Sequence, residues 1–176
     1  MRTRSGKLEG IIISLSVIVS SLLVSCSTVP FHEADNAQYL SDSGQYQQAV
    51  DMYSRSINLD PYNVDAYLGR GYAYEKLGEY DKALSDYTQV VQRKPDDPQA
   101  RFVRGLLYDY LGETDKAIQD YTVAIELKPG FADAYYYRGM DWERLGKIDN
   151  ARADYRSAVI YGNANAQARL NALGGG

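Results

Sequence analysis

His32 and Cys26 are the only histidine and the only cysteine in 176 residues, and that scarcity limits the bond chemistry open to the chain. An acyl-transfer site needs a nucleophile, a base within reach and a group that orients the base. His32 has no such company in the sequence. A structural zinc ion takes about four Cys or His ligands, which the chain cannot supply. One cysteine makes no intrachain disulfide. No metal site and no cofactor is expected, and no glycine loop of the phosphate-cradling kind is present. Carboxylates remain. Asp109 with Glu143 could be imagined as the acid and base of a glycan-cleaving site. A second charged set pairs Arg70, Arg104 and Arg138 with Asp86, Asp120 and Asp154. The corresponding places near the start of the chain hold Asn36 and Met52, so both charges are absent together. That joint presence and absence predicts ion pairs, with ligand binding by the arginines as the other option.

These residues recur because the whole chain recurs. "LGEYDKALSDYTQVV" (77–91), "LGETDKAIQDYTVAI" (111–125) and "LGKIDNARADYRSAV" (145–159) follow one another at 34 residues, and "SGQYQQAVDMYSRSI" (43–57) precedes them by 34. A fixed period of this length marks a repeat array. Within one period apolar and small residues fall at three- and four-residue steps in two runs, which is helical periodicity. Gly78 separates the runs where a helix ends in a left-handed residue. Pro95 stops the second run, and Asp97–Pro98 starts the next as N-cap and first helical residue. Each period is therefore expected to be a helix–turn–helix. The expected segments are 30–63, 64–97, 98–131 and 132–165. The fourth has Asn163 in place of proline. "ANAQARLNAL" after it predicts a capping helix over 164–173 with an apolar edge of Ala166, Leu170 and Leu173, followed by a tail at 174–176.

The small, aromatic and proline positions of these units resemble the tetratricopeptide repeat. The resemblance implies an all-α fold, a right-handed superhelical solenoid of four helix–turn–helix repeats plus the cap. Gly71, Gly105 and Gly139 on the first helices and Ala83, Ala117 and Ala151 on the second then sit where paired helices cross. One unit cannot bury its own apolar face, so the stack is the domain. Arg70, Arg104 and Arg138 stand where the family usually has Leu.

Residues 1–25 are unlike the rest. Arg2, Arg4 and Lys7 precede an apolar stretch from Ile11 to Val24, 14 residues long. A spanning helix needs about 20, so the segment reads as a secretory signal. It ends in Leu23-Val24-Ser25-Cys26, which resembles a bacterial lipobox. The resemblance implies cleavage before Cys26, lipidation of its sulfur, and a linker over 26–29. Ser27 after the Cys implies, by analogy, the outer membrane facing the periplasm. Four residues, Ser27 to Pro30, span at most about 14 Å, so the repeats are expected to lie close to the bilayer. Loss of 1–25 leaves 16 basic against 22 acidic side chains, a charge of −6, so attraction to anionic lipid is not the anchor.

Hydrophobic content of 45% and charged content of 24% suit a soluble globular domain after the leader. A sequence pI near 5.0 argues against nucleic acid, whose binders cluster Lys and Arg. A protein or peptide partner fits better. In the repeat family the first helices line a concave face. Carried onto this chain, that face holds Tyr72 and Glu75 in the second unit. Phe102, Leu106, Asp109 and Tyr110 follow in the third, and Tyr136, Tyr137, Met140 and Glu143 in the fourth. Such a surface suits a segment with apolar anchors and some basic residues. The Asn and Lys that clamp a terminal carboxylate in cochaperones of this family are not evident at Gln38, Tyr72, Leu106 and Met140. The resemblance to periplasmic repeat lipoproteins implies a non-enzymatic, membrane-anchored adaptor of the bacterial cell envelope. An assembly factor or pilotin for an outer-membrane machine is the alternative, with a glycan hydrolase more distant. Binding through the convex face and homo-oligomer formation are further options.

Overall fold

The computed structural model describes residues 29–174, and side chains from Asn36 onward. The leader, Cys26 and the last two residues lie outside the described residues, as does the side chain of His32.

Nine helices and no strand occur among the described residues. They are α1 (Val29–Asp42), α2 (Tyr46–Leu59), α3 (Val64–Lys76), α4 (Tyr80–Arg93), α5 (Pro98–Tyr110), α6 (Thr114–Leu127), α7 (Ala132–Arg144), α8 (Ile148–Ile160) and α9 (Ala166–Ala172). The architecture is the expected all-α solenoid: four antiparallel pairs stacked in chain order, closed by a short helix. Each first helix stops at a glycine with positive φ, +77° at Gly78, a conformation that favours glycine. Asp97 accepts the amide of Gln99 at 2.8 Å, with Pro98 opening α5. Asn63 does the same service for Ala66 at the start of α3. At the end of the fourth unit Gly162 turns the chain, and Asn163 accepts the amides of Asn165 and Ala166 before α9. Ala166 and Leu170 are buried under α9 and Leu173 is half-buried.

The core runs through the stack rather than sitting in one centre. Ala83, Ala117 and Ala151 are wholly buried. A Cβ on Gly71, Gly105 or Gly139 would meet a ring carbon of Tyr87, Tyr121 or Tyr155 at 2.7, 2.7 and 2.8 Å. The crossing is thus closed by a tyrosine ring packed against bare backbone. Tyr87, Tyr121 and Tyr155 are among the largest fully buried side chains. Gly69 also meets such a ring, that of Tyr53 in the preceding unit, which the 34-residue pattern does not mark. Gly105→Ala is therefore expected to cost about 1–3 kcal/mol through overpacking. A urea melt reads this; an unchanged midpoint would mean that Tyr121 can move aside freely.

First helices of neighbouring units, α1 with α3 and α5 with α7, come into contact, and second helices are not brought together comparably. The stack therefore curves with α1, α3, α5 and α7 inside.

Candidate functional site: the concave face

The inner face is held in place by a ladder of arginines. Arg70 donates to both carboxylate oxygens of Asp86 at 2.8 Å and to Ser54 Oγ of the previous unit at 3.1 Å. Arg104 donates to Asp120 at 2.7 and 2.8 Å and to Thr88 at 3.3 Å. Arg138 donates to Asp154 at 2.8 Å twice and to Thr122 at 2.9 Å. The three aspartates are buried. Each arginine thus ties the two helices of its own unit and reaches the second helix of the unit before. Ser54, Thr88 and Thr122 are spaced by 34 and form a hydroxyl column after the core tyrosines of the first three units. The arginines are committed to this ladder, which leaves them little capacity for a ligand.

A second set of internal bonds underlies the groove. The Tyr87 hydroxyl donates to Glu75 at 3.0 Å, and the Tyr155 hydroxyl to Glu143 at 2.6 Å. Burial first, and then the adjacent glutamate, push both phenols well above the ordinary range. Glu75 and Glu143, placed by the sequence among partner-facing residues, are half-buried and act inward. Glu143 also lies 3.6 Å from Arg169 of the cap.

The third unit has Asp109 at this position, one methylene shorter, and the Tyr121 hydroxyl finds no hydrogen-bond partner. Asp141 of the next unit approaches instead. It is 0% exposed, in a column whose other members are Tyr39, Ala73 and Leu107, the last two buried. The Arg144 guanidinium lies 2.7 Å from Asp109 and 3.1 Å from Asp141, close in distance but not aligned for a hydrogen bond to either. Burial, followed by the Asp109 charge, pushes the Asp141 carboxyl up to about 7, against the opposing pull of Arg144.

Phe102 was expected to face a partner and does not. It is 7% exposed, with its ring 4.8 Å from Phe131, 5.7 Å from Tyr137 and 5.8 Å from Tyr121. These rings seal the joint between the third and fourth units, so Phe102 belongs to the core. Tyr137 is half-buried beside it. What remains open on the inner face is Tyr72 and Tyr110, both exposed, with exposed Leu68 and half-buried Leu106, Tyr136 and Met140. Lys76 sits 5.0 Å over the Tyr72 ring, and Tyr110 shares a 2.9 Å hydroxyl contact with Tyr80. Asp109 and Glu143, the pair considered for glycan chemistry, are engaged with Arg144 and Tyr155 respectively. Among the described residues no group of His, Cys, Asp and Glu is placed to hold a metal.

Comparison with known proteins agrees with this architecture. A family model described as "TPR repeat" matches residues 40–78, and two described as "Tetratricopeptide repeat" match 64–97 and 102–169. A crystal structure of MamA protein superposes with TM-score 0.75 at 23% identity, covering 82% of this chain and 80% of that one. MamA 41-end from Desulfovibrio magneticus RS-1 gives TM-score 0.70 at 24% identity, covering 77% and 76%. The first TPR of Spaghetti (RPAP3), bound to the HSP90 peptide SRMEEVD, gives TM-score 0.59 at 26% identity, covering 63% of this chain and 90% of that one. A search of curated protein sequences found no match. Between Leu40 and Arg169 the chain carries tetratricopeptide repeats, stacked into one solenoid.

Proposed function

We propose that the chain is a membrane-anchored adaptor of the bacterial cell envelope that docks a partner protein segment on its concave face. The observation that carries this is the open apolar strip of Leu68, Tyr72 and Tyr110 on the inner helices. Tyr72 touches Tyr46 and Tyr110 touches Tyr80, yet both rings stay exposed, and rigid tyrosines supply contact area at low entropic cost. The repeat of Spaghetti in complex with a peptide supports peptide capture as a use of such a surface. The acidic sequence SRMEEVD is a poor guide to this chain's ligand, because no asparagine–lysine clamp stands at Gln38, Tyr72, Leu106 and Met140. A segment with apolar anchors and basic residues fits the exposed Asp65 and Asp133 at the groove margin. Lipid on Cys26 would hold the adaptor at the outer membrane, facing the periplasm, and raise the partner's local concentration there. No turnover is required of it.

The full chain, recovered from detergent-solubilised envelopes, is expected to retain its partner, and the Tyr72→Ala/Tyr110→Ala chain to lose at least tenfold of it. A pair of central aromatic contacts commonly carries that much binding energy. Both rings are exposed, so the circular dichroism of the variant stays that of the parent. Full retention of every partner by the variant rules out the concave face.

A further inference from the structure

The start of the described chain and the turns between units share one edge of the solenoid. Helices α1 and α2 are antiparallel and each 14 residues long, about 21 Å at 1.5 Å per residue. Val29 therefore stands level with Leu59. The turns at 60–63, 94–97 and 128–131 lie at the same edge, because each ends a second helix and begins a first one. Exposed apolar side chains gather there: Leu59 at 59%, Tyr62 at 81%, Leu127 at 38%, Ile160 at 77% and Tyr161 at 47%. Lys94 and Lys128 are exposed among them, beside exposed Asp60 and Asp96. The opposite edge, with turns at 43–45, 77–79, 111–113 and 145–147, exposes Tyr39, Leu77, Tyr110 and Leu145 and carries the ion pairs Glu79–Lys82 and Glu113–Lys116, so exposed apolar area alone does not choose between the edges and the reach of the anchor does.

We infer that the edge of the inter-unit turns is the face laid against a lipid bilayer. The inference rests on the reading of Cys26 as the lipid anchor. Only two residues separate Cys26 from Val29, a reach of about 10 Å, so this edge is the one the anchor brings to the membrane. Tyrosine suits that place, since its ring takes the apolar side of the headgroup region and its hydroxyl the wet side. Five side chains are too few to hold the protein without acyl chains. Their role is orientation. The helices then stand upright from the bilayer, and the groove opens sideways along it. A partner is caught within about 20 Å of the surface, one helix length.

The test uses the full chain, made with its leader, purified and reconstituted into phosphatidylethanolamine–phosphatidylglycerol vesicles. The photocrosslinker p-benzoylphenylalanine replaces Tyr62 or Tyr161 on one edge, and Glu113 or Lys147 on the other. Intact mass reads the anchor independently. The expected result is lipid adducts at least fivefold more abundant at 62 and 161 than at 113 and 147. Equal adducts at both edges, on a chain whose mass shows acylated Cys26, overturn the edge and leave the anchor standing. Adducts at 62 and 161 on a chain with unmodified Cys26 support the edge and overturn the anchor. No adduct on an unmodified chain overturns both. Crosslinks from position 62 to a second copy, in place of lipid, make this edge a self-association surface and overturn the inference.

Discussion

Asp120→Ala lowers the stability of the folded chain by about 3–5 kcal/mol, the cost of removing one partner from a buried ion pair. The Arg104 guanidinium is 14% exposed and directs two of its hydrogen bonds at Asp120. Without the carboxylate it keeps Thr88 at 3.3 Å and little water. The Arg101 guanidinium, 3.5 Å from the same carboxylate, loses its contact as well. Arg104→Leu together with Asp120→Ala recovers much of the loss, because apolar side chains of similar size commonly replace a buried pair at no net cost. Leu is also the residue that the repeat family usually places there. Urea denaturation of the two variants and the parent decides the matter. A single variant within about 1 kcal/mol of the parent would show that water reaches Arg104 and that the ladder is decorative.

That ladder also shows what a single sequence can reveal. The 34-residue period exposed the helix pairs, their glycine stops and their crossing residues because each depends on one column of the repeat. Arginine and aspartate columns that appear and vanish together pointed to a pairing. The ion pairs all lie within units, and the hydroxyls of Ser54, Thr88 and Thr122 supply the link to the preceding unit. The concave face was less legible, because exposure there depends on residues outside the column. Leu68, Phe102 and Tyr136 share one register, yet Leu68 is exposed, Tyr136 half-buried and Phe102 buried. Phe102 is covered by Phe131 and Tyr137, whose counterparts one unit earlier are Asp97 and Val103. A neighbour's side chain therefore turned a surface position into core. Asp141 escaped notice for a related reason. A charged residue on a first helix looks solvated, and its column of Tyr39, Ala73 and Leu107 is buried only in the two inner units.

Asp141 is the residue through which pH is expected to act on the stack. A carboxyl whose folded pKa is raised keeps its proton where the unfolded chain, with a value of about 3.9, has released it. Stability from this group is therefore fully present below about pH 4, falls as pH rises towards 7, and is level above that. At about 1.4 kcal/mol per unit, the window is worth roughly 2–4 kcal/mol. The groups facing Asp141 are Asp109 of α5, Tyr121 of α6 and Arg144 of its own helix, and of these only Arg144 favours the charged form. Asp141→Asn preserves shape and cannot ionise. Its stability relative to the parent is expected to rise by about 2–4 kcal/mol between pH 4 and pH 8, with nearly all of the change before pH 7.5. Urea melts across that range measure the difference directly. A difference that stays constant with pH would mean that Arg144 holds Asp141 ionised throughout, in which case the joint between the third and fourth units is a fixed ion cluster. A rising difference makes it a joint that loosens as pH rises from about 4 to 7.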